Sequence, residues 1–253
     1  MNNVIKIMGV AVNNTTLVDA VKTVEKALEN NNQMSIYTPN TEIVMEARSD
    51  NTLCNMINRG DLIIPDGVGL IYASKIKKKP LKERVTGVDL STKLLSLCDK
   101  KGYSLYILGG KEGTAQRAVD NIMKKYTNIK IAGIHNGYFK GTHIGYEGHD
   151  EEKAVIEDIN NSGAEVLFVC LGAPKQELWI DKNRDKLNCK VMIGNGGTVD
   201  ILAGDVKRAP LIYQKLGLEW LHRLIKQPSR IKRQMALPKF VLLLLFSREK
   251  LVE

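Results

Sequence analysis

The stretch Gly60-Asp61-Leu62-Ile63-Ile64-Pro65-Asp66-Gly67-Val68-Gly69-Leu70 decides how the chain is read. Leu62-Ile63-Ile64 is a short apolar run, the length of a strand buried on both faces. Pro65 stops it, because proline brings no N–H to a ladder. Asp66 follows at the mouth of the strand. Gly67 and Gly69 permit a sharp turn and the close approach of another group. Leu70, Ile71, Ala73 and Ile76 then recur at helical spacing. In an open α/β sheet, ligands sit beyond the carboxyl ends of the strands. A carboxylate at that point is available for chemistry; it could equally cap the helix that follows.

The same alternation extends outward. Strands are expected over residues 4–12, 34–37, 103–108, 129–134, 165–171 and 190–193, from their apolar, β-branched runs. Helical spacing falls between them, over 17–28 (with Thr15 and Thr16 as caps), 42–47, 88–100, 115–125, 151–160 and from 175 onward. A second short helical piece precedes Asp66. Strand, glycine-containing turn and helix in repetition predict an α/β protein with a Rossmann-like, mainly parallel sheet flanked by helices. Residues 1–205 are read as this core.

From residue 206 the composition changes. The chain has 253 residues and a net charge of +9. Residues 206–250 hold eleven Lys or Arg against Glu219 and Glu249, so the whole excess sits there. Residues 211–227 read as one amphipathic helix: Leu216, Trp220, Leu221, Leu224 and Ile225 share one side, and Lys215, His222, Arg223 and Lys226 the other. Pro228 breaks it. Residues 206–253 thus read as a basic amphipathic C-terminal helical appendage, suited to a membrane surface, a nucleic acid or a phosphorylated substrate. Lys75 to Lys82 is a second basic run, read as a solvated loop. The apolar run 240–246 is far short of the ~20 residues a spanning helix needs. Cys54, Cys98, Cys170 and Cys189 form no C-x-x-C pair, and Met1-Asn2-Asn3-Val4-Ile5-Lys6 lacks a signal-peptide core; a cytoplasmic location is expected.

Three glycine-rich turns, at Gly109-Gly110, Gly172 and Gly194 to Gly197, lie between strands and helices, where bare amides and helix N-termini suit a phosphate. Thr38 and Asn40 end one strand and Asp66 another. If those strands are neighbours, the three side chains meet at one edge. Arg84 could supply a cation there, and Gln176, early on its helix, could reach the same edge. Base, positioners and charge stabiliser together suit displacement of a phosphate leaving group. His135, His143 and His149 lie near Asp150, Glu151 and Glu152, but their spacing matches no common ligand pattern. No D-x-D pair occurs, so neither a metal nor a cofactor is expected.

Thr38-Pro39-Asn40, Pro65-Asp66-Gly67-Val68-Gly69, Glu83-Arg84-Val85-Thr86-Gly87-Val88-Asp89, Leu108-Gly109-Gly110, Gly172-Ala173-Pro174-Lys175-Gln176-Glu177 and Gly194-Asn195-Gly196-Gly197-Thr198 resemble the recurring blocks of the WecG/TagA/CpsF glycosyltransferases. The tail, with Ala209-Pro210, Leu218 to Leu224 and Pro228-Ser229-Arg230, resembles that family's C-terminal end. The resemblance implies inverting, metal-independent sugar transfer from a UDP-sugar to a polyprenyl-diphosphate-linked sugar, at the inner face of the plasma membrane. It further suggests N-acetylmannosamine as the sugar and undecaprenyl-diphosphate N-acetylglucosamine as the acceptor, the start of a wall teichoic acid linkage unit; the uronic acid of that sugar is the alternative donor.

On that reading Asp66 is the base. Arg84 and the turns carrying Gly109, Gly110, Gly172, Gly196 and Gly197 neutralise UDP. Thr38, Asn40, Gln176 and Asn195 hold substrate, and Arg223, Arg230 and Arg233 meet the lipid diphosphate or membrane. A homo-oligomer is compatible with the sequence. A nicotinamide-dependent oxidoreductase fits poorly, because no G-x-G-x-x-G precedes an acidic strand end. A nucleic-acid-binding role fits poorly too, because Trp220 is the only aromatic residue between Gln214 and Lys239.

Overall fold

Leu62-Ile63 pairs in parallel with Ile36-Tyr37, so the strand before Asp66 and the strand before Thr38 are neighbours. The computed structural model describes residues 4–247 and 251–253. Met1 to Asn3, part of the N-terminal reading above, and Arg248 to Lys250, counted in the basic tail, lie outside the described residues.

In chain order the elements are β1 (Val4–Ile7), β2 (Val10–Asn13), α1 (Leu17–Glu29), β3 (Met34–Tyr37), α2 (Thr41–Ser49), α3 (Asn51–Asn58), β4 (Leu62–Ile63) and α4 (Val68–Ile76). Then come α5 (Gly87–Lys101), β5 (Ser104–Gly109), α6 (Thr114–Lys125), β6 (Lys130–His135), α7 (Asp150–Asn161), β7 (Val166–Cys170), α8 (Lys175–Asn183) and β8 (Val191–Gly194). The chain finishes through α9 (Thr198–Ala203), α10 (Leu211–Lys215), α11 (Glu219–Lys226), α12 (Ile231–Gln234) and α13 (Ala236–Phe246).

Six of these strands form one sheet in the order β4-β3-β8-β7-β5-β6, parallel throughout. Successive strand residues point to opposite faces, and each face has its own core. Tyr37, Ile63, Leu108, Leu167, Val169 and Met192 pack on α2, α3, α4, α7 and α8. Ile36, Leu62, Ile107, Phe168, Val191 and Ile193 pack on α1, α5, α6 and α9. The helix starts follow local chemistry: Thr16 accepts from Asp19 N, and Thr86 from Asp89 N.

Two expectations are corrected. The strand expected over 4–12 is an antiparallel hairpin outside the main sheet, Val4↔Asn13 to Ile7↔Val10. Met8 and Gly9 turn it at φ 50° and 92°, the left-handed pair that a two-residue hairpin turn requires. The single helix expected over 211–227 is broken into α10 and α11. Gly217 stands between them at φ +70°, and a Cβ there would come within 2.5 Å of Val68 Cγ2. A side chain fits neither that backbone nor that gap, so the chain bends over α4.

The appendage shares the core of the first face. Phe240 and Leu244 of α13 are buried in the cluster that holds Ile43 and Leu70, and Leu251 and Val252 are buried in the same cluster. Lys6 N donates to Glu253 O and Glu253 N to Lys6 O, both at 2.8 Å, which adds residues 251–253 to the free edge of β1. The opposite side of the appendage stays open: Leu211, Ile212, Leu216, Ile225, Leu245 and Phe246 are exposed. No described helix is long and apolar enough to cross a membrane.

Candidate active site

Beyond the carboxyl ends of β4, β3, β8 and β7 lies a cavity of about 400 Å³, within the size range of small-molecule sites. Thr38, Asn40, Asp66, Arg84, Gly172, Gln176, Asn195, Gly196 and Gly197 all line it. The appendage closes the other side with Arg223, Arg230 and Arg233. Residues from four strand ends and from the tail therefore converge, as neighbouring parallel strands require.

Asp66 sits where the sequence places it, just past β4. Gly67 is needed there for close approach rather than for turning: its φ is −75°, and a Cβ would stand 2.8 Å from Thr41 N. The Asp66 carboxylate opens on the cavity yet is packed round by protein. Burial raises its pKa above the ordinary carboxylate range; Arg84 and Arg223 pull it back, and so does Gly87 N, which donates to Oδ1 at 3.2 Å. A carboxylate made more basic by desolvation suits a general base. Gly67 rather than Asp66 is the N-cap of α4, and the carboxylate instead accepts from Gly87 N, the first residue of α5.

Arg84 Nε donates to the Asp66 main-chain oxygen at 2.7 Å, and its terminal nitrogen pairs with Glu219 at 2.7 Å. Thr38 Oγ1 donates to Gly194 O at 3.0 Å, tying β3 to β8. Asn40 is the N-cap of α2, its Oδ1 accepting from Ile43 N at 3.1 Å. Asn195 Oδ1 accepts from Ser91 Oγ at 2.8 Å, while Nδ2 is buried with no partner among the described residues.

Gln176 and Glu177 are both buried behind the β8 turn. Gln176 Oε1 accepts from Gly196 N at 2.7 Å, which turns its Nε2 onto Glu177 Oε1 at 2.9 Å. Gly194 leaves room for the pair, since a Cβ there would lie 2.9 Å from Gln176 Nε2. Burial pushes the Glu177 carboxyl up to about 7. A raised pKa in the folded state means stability is full below the ordinary glutamate value and is lost as pH rises through about 7. Glu177→Gln should therefore raise the melting temperature by about 5 °C at pH 8 and by much less at pH 5. A thermal-shift series would check this, and a gap independent of pH would refute it.

Gly109 and Gly110 lie outside the cavity lining. At φ +129° and +76° they turn the chain after β5, and Gly110 N donates to Cys170 O at 3.3 Å. His135 and His143 both pack against the Phe139 ring, at centroid distances of 5.6 and 4.6 Å; His135 Nδ1 meets Asn136 O, and His149 Nδ1 accepts from Glu151 N. Among the described residues, no group of three His, Cys, Asp or Glu is placed to hold a metal ion.

A family model described as the glycosyl transferase WecG/TagA/CpsF family matches residues 5–252. The chain belongs to the WecG/TagA/CpsF glycosyltransferase family. It is 34% identical over 214 residues to a Bacillus spizizenii protein named N-acetylglucosaminyldiphosphoundecaprenol N-acetyl-beta-D-mannosaminyltransferase, covering 85% of this chain and 79% of that one. A Bacillus subtilis protein of the same name is 34% identical over 210 residues, 83% and 78% of the two chains. A Staphylococcus aureus protein of that name is 32% identical over 239 residues, 94% and 90%. The glycosyltransferase reading stands, and the oxidoreductase alternative falls.

Within this WecG/TagA/CpsF enzyme, sequence reasoning missed Asp200, Arg208 and Glu219, which also line the cavity. Asp200 is raised by burial and by Asp205, against Lys111 and Arg223. Glu219 carried one signal: it is the sole acid between residues 206 and 248 in a strongly basic segment.

Proposed function

We propose that this glycosyltransferase moves N-acetylmannosamine from UDP-N-acetylmannosamine to undecaprenyl-diphosphate-linked N-acetylglucosamine, forming a β-1,4 bond with inversion. The step would begin the linkage unit of wall teichoic acid. The names of the relatives support the sugar and the acceptor. The convergence of one basic carboxylate and three tail arginines on a single cavity carries the mechanism.

Asp66 takes the proton from the acceptor hydroxyl. The freed oxygen attacks the anomeric carbon from the face opposite UDP, and the bond from that carbon to the diphosphate oxygen breaks. Thr38, Asn40, Gln176 and Asn195 hold the sugars. The glycine turns at Gly172 and Gly196-Gly197 meet the donor diphosphate, and Arg84 adds positive charge beside it. No metal is assigned a step.

Residues 206–253 act as the appendage to the core of residues 1–205. Arg223, Arg230 and Arg233 meet the acceptor diphosphate. The exposed leucines and Phe246 rest on the inner face of the plasma membrane, so the enzyme is peripheral. Burial and the charges of Arg223 and Arg233 lower the pKa of the Arg230 guanidinium, against Glu42. Its Nε is buried with no partner among the described residues. A cation so crowded is ready for an anion.

Incubation with UDP-N-acetylmannosamine and a short-chain lipid-diphosphate N-acetylglucosamine should release UDP and give a lipid-linked disaccharide. Turnover with the N-acetylmannosaminuronic acid donor alone would overturn the choice of sugar.

A further inference from the structure

Arg84 lies next to Asp66, yet its guanidinium does not pair with the carboxylate. Its Nε is spent on the Asp66 main-chain oxygen at 2.7 Å. Its terminal nitrogen is spent on Glu219 Oε2 at 2.7 Å. The other Glu219 oxygen receives Arg208 Nε at 3.4 Å. Arg208 in turn grips both oxygens of Asp89, at 2.6 and 2.9 Å. Asp89 accepts from Thr86 Oγ1 at 2.6 Å, at the cap of α5. One step further along the chain, Gly87 N holds Asp66 Oδ1. The circuit closes on the carboxylate from both ends. Hydrogen bonds from Arg208 and Thr86 hold Asp89 below the ordinary range despite its burial, so this anchor stays charged.

An acid in a cavity built for phosphates opposes the ligand's charge, so its presence needs a physical reason. Without Glu219 the Arg84 fork could swing onto Asp66 as a bidentate pair, the strongest contact open to it. A carboxylate so paired is a weak base.

We propose that Glu219 is a positioning residue: by engaging Arg84 it keeps that guanidinium off the Asp66 carboxylate, and it makes the arrangement of the Asp66 loop conditional on α11 being docked. The proposal rests on the reading of Asp66 as the base. It ties the appendage to the reacting centre through charge, beyond any direct contact of its arginines with substrate.

The charged groups that face Asp66 are Arg84 from the loop before α5, and Arg223 and Glu219 from α11. Arg84 and Arg208 face Glu219. Across the cavity, Asp200 of α9 shares Arg223. Removing the charge of Glu219 deletes one anion near Asp66 and frees one cation. Both changes favour the ionised carboxylate, so they act in the same direction. The acid limb of the rate profile moves to lower pH, and the plateau falls as the base weakens.

Glu219→Gln, Glu219→Asp and Asp66→Asn would be assayed as full-length chains across pH, with kcat and KM for both substrates. Thermal melts and limited proteolysis of residues 206–253 would report docking of the appendage. Glu219→Gln is expected to lose about 10–100-fold in kcat, with an acid limb displaced downward. Glu219→Asp should recover part of both. If Asp66→Asn is inactive but Glu219→Gln keeps the wild-type limb, the proposal is overturned while the base reading survives. A loss of kcat with an unmoved limb and a protease-sensitive tail would reduce Glu219 to a tether and overturn it as well. If Asp66→Asn keeps turning over, the base reading fails and takes the proposal with it.

Discussion

Replacing Asp66 with asparagine is expected to lower kcat about 10²–10⁴-fold, the usual contribution of a general base, while the donor KM changes little. Asparagine keeps the shape and can still accept from Gly87 N, which bonds Oδ1 at 3.2 Å. The fold should not suffer. Burial raises the Asp66 pKa above the ordinary carboxylate value. Its stabilising contribution is therefore complete below that ordinary value and disappears as pH rises through the raised one. At pH 8 the charged carboxylate is a burden, and asparagine removes it. Asp66→Asn should melt at or above the wild-type temperature while being nearly inactive, the trade expected where function holds a group in an unfavourable place. Rate and melting curve measured on one preparation would test both halves. Wild-type turnover in a folded variant would end the base assignment.

The second large effect concerns the tail. Arg230→Gln should cost about 10–100-fold in kcat/KM for the lipid-linked acceptor, since a hydrogen bond to a charged group is worth about 1.5–3 kcal/mol. The triple replacement of Arg223, Arg230 and Arg233 should bring turnover near background. Stability should change little: Arg230 is repelled by its two neighbours and Arg233 pairs with Glu42 at 3.6 Å, so their loss costs little, whereas the loss of Arg223 removes a charge that offsets Asp66 and Asp200. This design avoids truncation, which would strip Phe240 and Leu244 from the core. Binding to anionic vesicles should weaken in parallel and depend on salt. An unchanged acceptor KM in the triple variant would remove the arginines from the acceptor's diphosphate.

Much of the core was legible from local pattern. The run at Met34 to Tyr37 is β3 as read, and the continuous apolar run at Val166 to Cys170 is the buried β7. The hairpin at Met8-Gly9 was hidden because one glycine in an apolar run looks like a strand interior. The break at Gly217 was hidden because amphipathic spacing continues across it, and only the contact with Val68 shows that no side chain fits. That Gly109-Gly110 lies outside the cavity lining was hidden too, since turn glycines have the same composition whichever surface they face.

By itself, the sequence determined the alternation of strands and helices, the glycines at strand ends, and an aspartate at the mouth of β4. These depend on residues a few positions apart, where backbone stereochemistry and side-chain period act directly. The tertiary structure alone decided that β8 lies against β3, which brings Thr38 to Gly194 across 156 residues. It alone decided that α13 returns to the first core, and that the Arg84 guanidinium forms its ion pair with Glu219 rather than with the Asp66 carboxylate. Parallel pairing and ion pairing are set by which surfaces can be buried together, and no local window of the chain contains that information.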